Sequence, residues 1–70
     1  MADQSERVAR LLVRELYYAT GGEPRWWVLP ANLSDMTKEA IAVAVARSWM
    51  LDRGDSVCLT EAGRDLVMNP

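Results

Sequence analysis

The sequence predicts an α+β domain, mainly helical, with two long helices, a tight β-hairpin and a short closing helix. Three features carry this expectation. Apolar residues recur at three- and four-residue steps over residues 3–20 and again over 35–51. Gly54-Asp55 separates two short β-prone runs between Met50 and Thr60. Thr60 then stands at the N-cap position of a last helical segment, residues 61–67. The chain has 70 residues, half of them hydrophobic. That suits one domain over residues 1–70, near the size at which a single core only just outweighs conformational entropy.

The first helix is expected over residues 3–20. Asp3 as N-cap and Glu6 three residues on form a capping box. Val8, Leu12, Leu16 and Ala19, with Leu11 beside them, make its apolar stripe, and Gly21-Gly22 ends it because glycine accepts a left-handed C-cap. Residues 23–33 contain EPRWWVLP and allow two readings. One is a short strand. The other is an apolar segment folded on the core, with Pro30 opening a single helical turn. The second helix, residues 35–51, is capped by Ser34 or Asp35. Its stripe of Ile41, Ala44, Val45 and Ser48, with Leu51 at the margin, packs on the first helix, leaving Glu39, Ala42, Val43, Ala46, Arg47 and Met50 opposite. A hairpin over residues 50–60 follows, with Gly54 at positive φ, Val57 and Leu59 on one side and Cys58 on the other.

Eight basic and ten acidic residues leave a net charge of −2. Dedicated nucleic-acid binders are more often basic, because phosphate neutralisation supplies most of their affinity. Histidine is absent and Cys58 is the only cysteine. This removes the commonest general base, the commonest metal ligand and any intramolecular disulfide. The carboxylates fall at cap and helix-surface spacings, so no catalytic residue, cofactor or metal is expected, and an enzyme is not. The residues MADQSERVAR do not read as a signal peptide, and no apolar run reaches membrane-spanning length. The expected setting is cytoplasmic.

The stretch Ser48-Trp49-Met50-Leu51, a short hairpin, and Leu59-Thr60-Glu61-Ala62-Gly63-Arg64 resembles the close of bacterial winged helix-turn-helix domains of the MarR and PadR kind. The resemblance covers residues 33–67. It implies a compact winged-helix domain with a degenerate middle helix, a two-stranded hairpin wing and a recognition-type helix over 35–51. Two departures stand out. Ser48 replaces the usual glycine before the aromatic-aliphatic step, so a different way of making the bend is expected, and the segment before the recognition helix is too short for a full helix. The function implied is DNA binding or transcription-associated work on duplex DNA. Lys38 and Arg47 would contact DNA from the recognition helix, Arg53 from the wing, and Arg7, Arg10 and Arg14 would hold phosphates.

Each feature has a plainer reading beside it. Arg7 and Arg10 sit four residues after Asp3 and Glu6, the ion-pair spacing of an ordinary solvated helix face, and Arg25 extends the stripe only if the chain folds back. Arg53-Gly54-Asp55 is a tight turn whose charge is offset by Asp52 and Asp55. Trp26, Trp27 and Trp49 are large pieces of a small core, and a strand would point Trp26 and Trp27 opposite ways. Cys58 reads as a small buried or half-buried hydrophobe. The alternative function is a protein-interaction module, homodimeric or with another protein, through Val43, Ala46 and Met50 joined by Trp27.

Overall fold

A computed structural model of the chain describes residues 4–69. The elements run α1 (Gln4–Thr20), β1 (Trp26–Val28), α2 (Asp35–Ala46), β2 (Met50–Asp52), β3 (Ser56–Leu59) and α3 (Glu61–Met68). The α+β, mainly helical expectation holds, but the sheet has three antiparallel strands in the order β1-β3-β2 rather than a two-stranded hairpin. Between β1 and α2 there is a turn at residues 31–32 and no helix. The Asp3 cap and the Asp3–Arg7 pair lie outside the described residues.

The two helices pack through a narrower and differently aimed stripe than the sequence suggests. On α1 the buried residues are Ala9, Val13, Leu16 and Thr20; Leu11 and Ala19 are exposed. On α2 they are Ala40, Ile41 and Ala44, while Val45 and Ser48 are exposed. The physical reason is size. Ala9 on one helix and Ala40 and Ala44 on the other, all fully buried, let the backbones approach closely around Val13. Leu12 and Leu16 are then free to turn toward the sheet, where they line a cleft together with Trp27, Met50 and Val57. Thr20, buried at the end of α1, returns its hydroxyl proton to the Leu16 carbonyl at 2.8 Å.

Both long helices stop with the same device. After α1, Gly21 is left-handed (φ 67°) and the Gly22 N–H donates to the Tyr17 carbonyl at 2.9 Å. After α2, Ser48 is left-handed (φ 65°), the Trp49 N–H donates to the Ala44 carbonyl at 2.9 Å, and the Ser48 N–H to that of Val45 at 3.0 Å. These are Schellman closures. The expected helix over 35–51 therefore ends at Ala46, because Ser48 turns the chain into β2. Ser34 is the N-cap of α2, its Oγ accepting from the Thr37 N–H at 3.1 Å.

A serine at φ 65° carries a steric penalty that glycine lacks, on the order of 1–2 kcal/mol. Ser48→Gly is therefore expected to raise stability by roughly 0.5–1 kcal/mol, once the greater freedom of glycine in the unfolded chain is counted. Urea denaturation read by circular dichroism checks this; an unchanged or lowered midpoint contradicts it.

Trp26, Cys58 and Leu51 stand side by side across the sheet, as do Trp27 and Val57, and Met50 and Leu59. Alternation puts Trp27, Val57, Leu59 and Met50 toward the helices and Trp26, Val28, Cys58 and Leu51 on the outer face. All four residues of β3 are buried because it is the central strand, Cys58 included. At the hairpin turn Gly54 has φ 97°, and its N–H donates to Asp52 Oδ1 at 2.7 Å.

The hairpin is locked to the rest of the fold at Thr60 and Gly63. Thr60 Oγ1 accepts from the Gly63 N–H at 3.0 Å, capping α3, and donates to the Ser48 carbonyl. The Thr60 N–H donates to the Trp49 carbonyl at 3.1 Å. That same carbonyl lies 2.2 Å from where a Cβ on Gly63 would stand. Gly63 thus packs against both the α2–β2 junction and the Leu59 side chain of the hairpin.

Candidate functional site

The structure separates the six cationic candidates into three places. Arg7, Arg10 and Arg14 are exposed on α1 and line one side of a groove of about 550 Å³ between α1 and α3. Leu11, Tyr18, Leu66 and Val67 supply its apolar lining. Arg14 lies over the Tyr18 ring, 5.8 Å from its centroid. Arg10 pairs with Glu6 at 3.7 Å, at the spacing the sequence suggests.

Arg47 is the C-cap residue of α2, one position beyond the helix, and not a member of its outward face. Its guanidinium also meets Glu6, at 3.4 Å, and lies 5.9 Å from the Trp49 ring centroid. Arg10 lies 5.5 Å from the same ring. Glu6 and Trp49 thereby join Arg10 and Arg47, which are far apart in sequence. Trp49 is half-buried at the edge of the core, less enclosed than its sequence context implies. The two arginine side chains are more than half exposed, whereas that of Glu6 is largely covered.

Lys38 and Arg53 are elsewhere. Lys38 lines a shallow cleft with Leu29, Leu33 and the hairpin residues Asp52, Gly54 and Asp55. Arg53 stacks over Trp26, 4.6 Å from the ring centroid, on the outer face of the sheet. Arg25 pairs with Glu23 at 2.8 Å instead of extending the α1 stripe.

The four protein-interface candidates also divide. Met50 is 2% exposed and belongs to the core, which corrects its place on an outward surface. It leaves the helix for β2, and strand alternation turns it inward. Val43 is half-buried against the core, Ala46 is exposed, and Trp27 is half-exposed at 44%. Trp27 lines a cleft of about 280 Å³ with Leu12, Leu16, Leu29, Leu33 and Met50.

The apolar surface that sequence reasoning missed is the outer face of the sheet. Val28 is 71% exposed and Leu51 53%, with Trp26 beside them. The signal was present only in part. The alternation of Trp26 and Val28 is visible in the sequence, but Leu51 joins them only through its register with Cys58. The groove lining was more legible: Leu11 and Tyr18 share a seven-residue spacing with Arg7 and Arg14.

Asp35, Glu39, Asp52 and Asp55 are exposed on α2 and the hairpin, with Lys38 and Arg53 and with Arg47 at the C-cap of α2. That is four carboxylates to three cations. Among the described residues, no group of three or more His, Cys, Asp or Glu is placed to hold a metal, and no helix is long and apolar enough to cross a membrane. No protein-family model matches the chain, and no curated protein or solved structure matches it either.

Proposed function

We propose that the chain is a winged-helix module of the MarR and PadR kind that works by binding protein rather than by reading DNA. The order helix–strand–helix–hairpin–helix supports the winged-helix assignment, as does a sheet in which the hairpin's second strand is central. The turn at residues 31–32 takes the place of the middle helix, and the Thr60–Gly63 lock gives the LTEAGR stretch a structural purpose.

The observation that carries the protein-binding reading is the exposed apolar row Trp26, Val28 and Leu51 across the outer face of the sheet. Adjoining exposed apolar residues on a small domain mark contact surfaces. The side that a winged helix turns to DNA speaks the other way. It offers Ala42, Val45 and Ala46 with the excess of carboxylates given above, and few groups able to read base edges.

Two measurements test this. Anisotropy of labelled random duplex DNA at low ionic strength is expected to show no binding up to about 100 μM protein, the weak end of the usual range for non-specific binders at physiological salt. Sedimentation equilibrium of the wild type beside Val28→Asp is expected to show self-association that the substitution abolishes. A monomer in both cases removes the second-copy form of the reading. Tight, salt-sensitive DNA binding lost in Arg10→Ala and Arg47→Ala overturns the reading altogether. It would favour DNA binding, for which the convergence of Arg10 and Arg47 over Trp49 is the supporting observation.

A further inference from the structure

We infer that the groove between α1 and α3 docks an acidic, amphipathic helical segment of a partner protein. It is a second contact surface, on α1 and α3 rather than on the outer face of the sheet. The chain as a whole is acidic, yet one side of this groove carries Arg7, Arg10 and Arg14. The three lie within about 60° of one another around α1, by the ideal helical period. Their i, i+3, i+7 spacing matches a ladder of carboxylates on a second helix laid alongside.

This arrangement is unfavourable in the isolated chain. Arg10 and Arg14 are like charges four residues apart, which opposes helix formation. Of these three arginines only Arg10 has a carboxylate partner among the described residues, Glu6, and Glu6 is shared with Arg47. A partner bringing three carboxylates relieves the repulsion on binding, so charge complementarity selects an acidic ligand.

The groove floor selects the rest. Leu11, Leu66 and Val67 offer aliphatic surface and no side-chain hydrogen-bond donors, and Leu11 is 58% exposed. Tyr18 is the single aromatic lining residue, and Arg14 already lies over its ring. Stacked bases would lack a platform here, whereas leucines beside the carboxylates of an amphipathic helix would find one.

The test uses the full chain and a fluorescein-labelled helical peptide of about 15 residues. Its glutamates are spaced as Arg7, Arg10 and Arg14 are, with leucines on the adjoining face. Anisotropy is expected to report binding in the micromolar range that weakens as salt rises from about 0.05 to about 0.5 M. Arg7→Glu/Arg14→Glu, and the same peptide with glutamine for glutamate, are each expected to bind about tenfold more weakly or worse. Arg7→Gln/Arg14→Gln serves where charge reversal disturbs the fold. Val28→Asp is expected to bind the peptide as the wild type does, so loss of the sheet-face contact and loss of this one are distinguishable. The inference is overturned by any of four results. These are no binding at about 1 mM peptide, equal binding of the glutamine peptide, binding indifferent to the arginine changes, or tighter arginine-dependent binding of duplex DNA or anionic vesicles.

Discussion

Gly63→Ala is expected to destabilise the domain by about 3 kcal/mol, at the upper end of what overpacking causes. The new methyl would meet the Trp49 carbonyl oxygen at 2.2 Å, its carbon at 3.1 Å and Leu59 Cδ1 at 2.9 Å. A flexible side chain such as Leu59 can give way. The Trp49 carbonyl cannot move freely, because it accepts the Thr60 N–H and lies next to the left-handed Ser48. Relief therefore requires α3 to shift as a body. That breaks the Thr60 cap and uncovers the side of α1 on which Leu66 and Val67 pack. A domain of this size rarely holds more than about 3–5 kcal/mol in its core. Gly63→Ala should thus retain at most about 2 kcal/mol at 25 °C, with its urea midpoint lowered by more than about half. Ala62→Ser, at the exposed neighbouring position, is expected to stay within about 0.5 kcal/mol of the wild type. A Gly63→Ala midpoint within that same range would show that α3 is not seated on the junction.

The second large effect separates two adjacent residues of β2. Met50→Ala is expected to lose about 2–4 kcal/mol, because the side chain is buried between Leu59 and the helices and its removal leaves a cavity. Leu51→Ala, one residue on, is expected to change stability by less than about 0.5 kcal/mol, since Leu51 is more than half exposed. Denaturant titration of the pair decides it. Equal losses at both positions would mean that β2 is out of the register that pairs Met50 with Leu59 and Leu51 with Cys58. The contrast also bears on function. A loss of partner binding in Met50→Ala would follow from loss of the fold, whereas Leu51→Asp probes the outer face with the core intact.

The local punctuation of this chain was legible. Gly21-Gly22 ends α1, Ser34 caps α2, Gly54 turns the hairpin and Thr60 caps α3. Each rests on one or two residues and on backbone sterics or a single hydrogen bond, which neighbours in space barely alter. The helix faces were less legible. On α1 the expected stripe of Val8, Leu12, Leu16 and Ala19 with Leu11 omits the buried Ala9 and Val13, and on α2 that of Ile41, Ala44, Val45 and Ser48 omits the buried Ala40. A hydrophobic pattern records which residues are apolar but not how closely a partner approaches, and here close approach favoured alanine. The end of α2 was misplaced because Ser48 does a glycine's work, and a serine carries no sequence signal for positive φ.

What the sequence by itself determined was the two long helices, the hairpin, the closing helix and their order, because these depend on periodicity and short-range bonding; it left open whether residues 23–33 held a strand. It also determined the arginine stripe, since helical spacing alone places Arg7, Arg10 and Arg14 on one side of α1. Only the tertiary structure decided which surfaces those residues belong to. Closure of α3 turned the stripe into one side of a groove, pairing with β3 placed Trp26, Val28 and Leu51 on one face, and the step from α2 into β2 took Met50 from surface to core. The reason is the same in each case. These outcomes depend on register and packing between segments distant in the chain, and no local spacing encodes which distant segment arrives.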